Sequence, residues 1–187
     1  LGRRHVSTSV RDLGMGVLYA SRVPLDAAVP ESVLDLMVRE ARRALDEAGQ
    51  GRDRCLGVGL SLPGQVDHRT GVVMHLSGLP GWENVPVRAV LEEALGLPCH
   101  VDNDSNALAL AAKWTGLVEE DVDAVVLSLG EGLGAGVLSK GSLLYGSHSN
   151  AGEVGHMTIR YDGAPCPCGN RGCLETVVNA SRLVERI

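Results

Sequence analysis

The chain has 187 residues, 44% of them hydrophobic, yet it contains no Phe and only 3% aromatics, so a core must be built from Leu, Val and Ala. A net charge of -6 argues against these residues gripping nucleic acid themselves, because phosphate recognition needs a basic surface. No apolar run approaches the roughly 20 residues of a membrane span, and the length allows one large domain or two small ones.

In chain order, His5 to Val10 and Val17 to Ser21 read as two strands joined at Gly14-Met15-Gly16, a β-hairpin. Pro30 opens a helix that Gly49 closes, with Leu34, Met37, Val38, Ala41, Leu45 and Ala48 at helical spacing. Cys55 to Leu62 is a strand with alternating glycines, Pro63 to Asp67 a tight turn, and Gly71 to His75 another short strand. Pro86 to Leu95 is a helix with Pro in its first turn and Gly96 at its end. Cys99 to Asp102 is a strand, and a helix follows Asn103-Asp104 as far as Trp114-Thr115-Gly116. Strand grammar then restarts at Ala124 to Leu129, followed by a glycine loop and Ala135 to Ser139. The alternation predicts an α/β chain of two lobes, residues 1–117 and 118–187, with a hinge near Gly116 to Glu120. Leu1 stands without an initiating Met and Ile187 ends an unfinished helical pattern, so the chain reads as a fragment.

The strongest chemical signal is His156-x9-Cys166-x-Cys168-x4-Cys173. Three thiolates and an imidazole make a closed tetrahedral donor set, which predicts a structural zinc with no position left for water. Gly163, Pro165, Pro167, Gly169 and Gly172 suit the tight loop that such an ion would fix. Cys55 and Cys99, each in an apolar run, read as buried thiols, and the usage fits a reducing, cytoplasmic location.

Three other stretches carry weaker signals. Gly130-Glu131-Gly132-Leu133-Gly134-Ala135-Gly136 could turn its amides toward a phosphate, or could be a plain glycine-rich hairpin; Glu131 disfavours an anion. In Asn103-Asp104-Ser105-Asn106, Asp104 or Ser105 could cap the helix, or Asp104 could face a ligand crevice as a general base. Glu153 and His156, three residues apart, share one face of a helical turn, and Glu175 follows the last cysteine. Carboxylates held on a rigid loop suit the vicinal hydroxyls of a sugar, whereas Glu175 alone could simply complement a helix start.

Together, and in this order, these stretches resemble the Repressor–ORF–Kinase (ROK) family of bacterial sugar kinases and sugar-responsive repressors. The resemblance rests on Gly57-Val58-Gly59, Pro63 to Asp67, Pro80-Gly81-Trp82-Glu83-Asn84-Val85-Pro86, Leu97-Pro98 and Asn103 to Ala107. It continues through Gly130 to Gly136, Ala151 to His156 and Cys166 to Glu175, and so covers nearly the whole chain. It implies an actin-like, ribonuclease-H-like ATPase fold, two lobes around a cleft. It implies sugar contacts at Gly64, Asn103, Asp104, Glu153, His156 and Glu175, phosphate contacts at Gly130, Gly132 and Gly134, and Asp104 as base if the protein is a kinase using ATP and Mg²⁺. His156 would serve both metal and sugar. A homo-oligomer, dimer or tetramer, is implied as well.

The chain departs from the family's kinases at both phosphate loops. Arg3-Arg4-His5 stand where Gly and Thr of the first loop would be, and Glu131 stands where the second carries Thr. Gly78 replaces an Asn that is frequent before Leu79-Pro80-Gly81-Trp82. Phosphoryl transfer depends on positioning and charge neutralisation, so both loop changes weaken it. The sequence therefore favours a regulator's effector domain. It would bind a monosaccharide or sugar phosphate, with DNA contacted through a segment absent from this chain, over an ATP-dependent, glucokinase-like hexose kinase.

Overall fold

Residues 5–26, 28–76, 79–130 and 132–179 are described by the structure, a computed structural model. Leu1 to Arg4, Gly78, Glu131 and the helical pattern running to Ile187 lie outside the described residues. The chain divides into two compact units, Leu1–Asp102 and Asn103–Ile187.

In the first unit, β1 (His5–Arg11) and β2 (Val17–Pro24) form the expected antiparallel hairpin, with Val6 opposite Val23. Proline at the first turn starts α1 (Pro30–Glu47), where its missing N–H costs nothing. The helix buries Val33, Leu34, Met37 and Ala44, a stripe at helical spacing. Glu40 lies on the same buried face, and its carboxylate accepts a hydrogen bond from Ser21 Oγ at 3.1 Å. After β3 (Val58–Leu62) come β4 (Gln65–Asp67), β5 (Val72–His75) and β6 (Glu83–Val85), one antiparallel sheet in the order β4–β5–β6. The sequence shows only β5 of these, because three-residue strands are too short to display a period of two.

The helix α2 (Val87–Leu95) ends as expected on Gly96 in the left-handed conformation, φ +64°. Next, β7 (Cys99–Asn103) pairs with β3. Trp82, Leu62, Val66, Val73, Leu91, Leu95 and Val101 are all buried in one apolar cluster. The indole N–H of Trp82 is not stranded there, since it donates to Ala28 O at 2.6 Å.

The second unit starts with α3 (Asp104–Trp114), which packs on β8 (Ala124–Leu129) and β9 (Leu133–Ser139). With β10 (Ser142–Leu143) these strands form an antiparallel sheet in the order β10–β9–β8. Two differences from the sequence reading share one cause. Contacts group α3 with this second unit, whereas the sequence placed that helix in the first lobe. And β9 begins at Leu133 and not at Ala135, so Gly134 is a strand residue paired with Ser128, as Gly136 is with Val126. A Cβ on Gly136 would lie 2.5 Å from Ser105 O, and one on Gly134 would strike Ser105 Oγ. The two glycines let α3 rest directly on the β9 backbone, and that close packing draws the helix into this unit.

Beyond Leu143 the described chain is irregular, with single helical turns at Val154–His156 and Leu174–Thr176 and isolated pairings of Thr158 with Cys173 and Pro165 with Arg171. No helix among the described residues is long and apolar enough to cross a membrane.

Candidate functional site

The irregular segment gathers four donors. One ligand atom each from His156, Cys166, Cys168 and Cys173 lies within 4.8 Å of all the others. His156 Nδ1 stands 3.6 Å from Cys166 Sγ, and Cys168 Sγ stands 3.7 Å from Cys173 Sγ. An ion with metal–sulfur bonds of about 2.3 Å needs tetrahedral sulfur–sulfur edges of about 3.8 Å. Two of the donor–donor distances therefore already match the edges of one coordination tetrahedron, and the four donors form a cluster compact enough to hold one ion.

Backbone hydrogen bonds set that spacing. Cys166 N–H donates to Asn170 O at 2.8 Å and Gly169 N–H to Cys166 O at 3.0 Å, which curls the Cys166–Cys168 pair. Gly169 has φ +93° and Gly172 φ +64°, conformations that L side chains avoid. Desolvation, reinforced by the neighbouring thiols, pushes the Cys173 thiol up to about 12, and burial raises Cys166 too. At Cys168 burial also acts upward, but hydrogen bonds from the Asn170 amide and the other two thiols outweigh it and lower its pKa. Such a cluster holds three thiolates only around a positive charge, so its donor chemistry fits a metal ion.

The same loop positions two carboxylates. Glu153 precedes the turn Val154–His156, and its Oε2 lies 3.8 Å from His156 Nε2. One imidazole thus turns Nδ1 to the sulfur cluster and Nε2 to an acid, the usual way a ligating histidine is oriented. Burial raises the Glu153 carboxyl, the nearby Asp104 and Glu175 charges add to this, and His156 opposes it. Glu175, on the turn after Cys173, accepts the Leu133 N–H at 2.9 Å through Oε2.

The open question at α3 is resolved by Asn103. Its side chain, not that of Asp104 or Ser105, caps the helix, with Oδ1 accepting from Ser105 N–H at 2.8 Å and Asn106 N–H at 3.3 Å. Asp104 is thereby released from capping. Desolvation raises its carboxyl, while hydrogen bonds from Ser105 act the other way. Asp104, Glu153 and Glu175 all lie in the second unit, close enough for their charges to act on one another.

Gly64 belongs to the first unit, at φ +87°, and a Cβ there would lie 2.7 Å from Leu76 Cδ2, so local packing already requires glycine. Gly130 has open space where a side chain would be, whereas a Cβ on Gly132 would lie 2.8 Å from Glu175 Oε2. Two participants escape sequence reasoning. Leu133 acts through its amide, and a backbone amide has no side-chain signature. Ser105, under Gly134, hydrogen-bonds Asp104 Oδ1 at 3.4 Å, yet in sequence it resembles any residue of a helix's first turn.

The fold is that of the actin-like ATPases in the form shared by ROK sugar kinases and regulators. The model of the ROK family matches residues 1–187, and the chain belongs to that family. It is 37% identical over 157 residues to the xylose repressor of Caldicellulosiruptor bescii, covering 84% of this chain and 39% of the repressor. It is 39% identical over 147 residues to the glucokinase of Halalkalibacterium halodurans, covering 76% of this chain and 44% of the kinase. The crystal structure of a ROK family transcriptional regulator, a homologue of the E. coli MLC protein, superposes with a TM-score of 0.83 at 32% identity, covering 100% of this chain and 47% of that one. The chain thus spans less than half the length of each of these relatives.

Proposed function

We propose that this chain is the sugar-binding effector domain of a ROK transcriptional regulator, without efficient kinase activity. The observation that carries the reading is the pair Glu153 and Glu175, flanking a four-donor cluster and within electrostatic reach of Asp104. Carboxylates fixed in this way accept hydrogen bonds from adjacent hydroxyls, the recognition chemistry of a monosaccharide or a sugar phosphate. We assign the cluster to zinc, since three cysteines and one histidine suit its borderline softness and leave no open position. Its contribution is structural, holding His156 and the acids in place. His156, Asn103 and Asp104 complete the proposed sugar contacts of the second unit, and DNA binding is assigned to a part of the protein outside these 187 residues.

The reading against catalysis rests on Glu131, a carboxylate where ATP phosphates would need a donor, and on Arg3-Arg4-His5 in the first loop. One observation favours the alternative, an ATP-dependent hexose kinase. Asp104 is not used as the helix cap, and its raised carboxyl suits a general base toward a sugar hydroxyl. In that case Gly130, Gly132 and Gly134 would face the phosphates of ATP–Mg²⁺.

A panel of hexoses with ATP–Mg²⁺, followed by ADP release and by calorimetry, separates the two. Binding of at least one sugar without turnover is the expected result. Turnover well above background that disappears in Asp104→Asn would replace the regulator with the kinase, and no binding to any sugar would remove both.

A further inference from the structure

Glu175 is an acid of the site with one oxygen held by a backbone amide distant in sequence. Its Oε2 accepts the Leu133 N–H at 2.9 Å, and Gly132 leaves only enough room for that oxygen. Leu133 is the first residue of β9 and directly follows Gly132, whose carbonyl accepts the Gly130 N–H at 2.9 Å. Glu175 itself sits two residues after Cys173, on a turn held by Thr176 N–H and Thr176 Oγ1 donating to Cys173 O at 2.9 and 2.7 Å. A short covalent and hydrogen-bonded path therefore runs from the last metal donor through one carboxylate to the first residue of β9.

A second path runs in parallel. Ala135 N–H donates to Gly152 O at 3.0 Å, and a Cβ on Gly155 would strike Leu133 O, so the segment carrying Glu153 and His156 lies against the same first residues of β9. Both acidic arms of the site thus rest on residues 133–135. Of these two contacts, the one through Glu175 is made by a charged side chain, and it changes when a ligand competes for the carboxylate.

We propose that Glu175 is a positioning residue that ties the metal-bearing loop to Leu133 at the start of β9, so that a sugar bound at the loop and the order of that strand end are thermodynamically linked. The second half of this statement rests on the sugar-binding reading above; the tie itself does not. A hydroxyl donated to Oε1 fixes the carboxylate's torsions and holds Oε2 on the Leu133 amide. A ligand that pulls the carboxylate away frees that amide. In either direction the start of β9 registers the occupancy of the sugar site, and by linkage anything that orders that strand end alters sugar affinity by the same factor.

The test is residue-resolved amide hydrogen exchange on the metal-loaded protein, with and without the sugar that calorimetry identifies. Leu133 should exchange at least tenfold faster in Glu175→Ala, with metal content and circular dichroism unchanged. Glu175→Gln, which keeps a neutral acceptor, should restore most of the protection. Gly132→Ala, which crowds Oε2 from the other side, should reproduce the loss should the alanine variant fold poorly. Sugar should change Leu133 protection in the parent protein and not in Glu175→Ala, a response that a purely structural contact would not give. Unchanged protection of Leu133 in both Glu175→Ala and Gly132→Ala overturns the tie. A sugar that binds the parent protein without altering Leu133 exchange overturns the linkage. Loss of protection in Glu175→Ala in a protein that binds no sugar upholds the tie and removes the sugar-binding reading on which the linkage rests.

Discussion

The apolar cluster of the first unit and the metal-donor loop of the second are held in place by different physics. In the cluster, Leu62, Val66, Val73, Trp82 and Val101 are fully or almost fully buried, and packing alone defines their positions. In the loop, the buried residues are Gly155, Cys166, Gly172 and Cys173, while Met157, Ile159 and Tyr161 are exposed. Ordering a residue's backbone costs about 1–2 kcal/mol, and glycines and cysteines return little of that through burial. The cluster should therefore be indifferent to metal, and the loop conditional on it. The candidate site stands on the conditional part.

The harshest way to break this contrast is to remove the ion. A structural zinc contributes on the order of 10 kcal/mol to a small site, far more than any single side chain of the cluster. Chelation, or Cys173→Ser, is expected to abolish metal binding, expose residues 157–173 to protease and weaken hexose binding by more than about 100-fold, while amide protection in the first unit persists. Simultaneous loss of protection in both units would show that they do not depend on metal differently. The reverse experiment is Trp82→Ala. Its cavity and its orphaned Ala28 carbonyl should cost about 3–5 kcal/mol in denaturant unfolding, with metal content per folded molecule unchanged. Loss of metal from the folded variant would sink the contrast from the other side.

A gentler change sharpens the comparison at the start of α3. Asn103→Ala removes the oxygen that accepts from Ser105 and Asn106, and should cost about 1 kcal/mol. Asn103→Asp keeps an acceptor and should keep the stability, yet its added charge beside Asp104 should still reduce sugar affinity. If both variants lose stability and affinity in proportion, Asn103 is a cap and nothing more.

The two regions also differed in how far they could be read from sequence. Helices with long apolar faces, α1 and α2, were legible because many residues repeat one period, and Gly96 marked its stop correctly. The donor set was legible because Cys and His at close spacing have few other uses. The short strands β4 and β6 were not, since three residues carry no period. Gly134 reads as part of a loop, although it lies in β9, because glycine signals only the lack of a side chain. Whether the space is left for a phosphate or for Ser105 and Ala109 of a packed helix is decided by tertiary contact. The cap was open for the same kind of reason, as Asn103, Asp104 and Ser105 are all competent caps and only the backbone angles of Asn103 select it.

The smallest expected effect concerns pH, and its direction is opposite to that of the metal loop. Burial raises the carboxyls of Asp104 and Glu153 above their ordinary values of 3.8 and 4.5. An acid raised in the folded state favours folding while protonated. Its contribution is complete below the ordinary value and is lost as pH rises through the folded one. Once charged, both groups oppose folding, which the placement of Asp104 in the first turn of α3 offsets only in part. Asp104→Asn should therefore raise the melting temperature slightly at pH 7, and that gain should shrink toward zero as pH falls through the acid range. Both side chains keep contact with water, so screening keeps the effect small. Metal release in acid lowers the parent and the variant alike, because protonated thiols and imidazole no longer bind the ion, so the quantity to follow is the difference between the two proteins at each pH. A gain that grows on acidification would mean that the Asp104 charge is instead stabilised by the helix it opens, and one that holds constant would mean that ionisation of Asp104 is not its source.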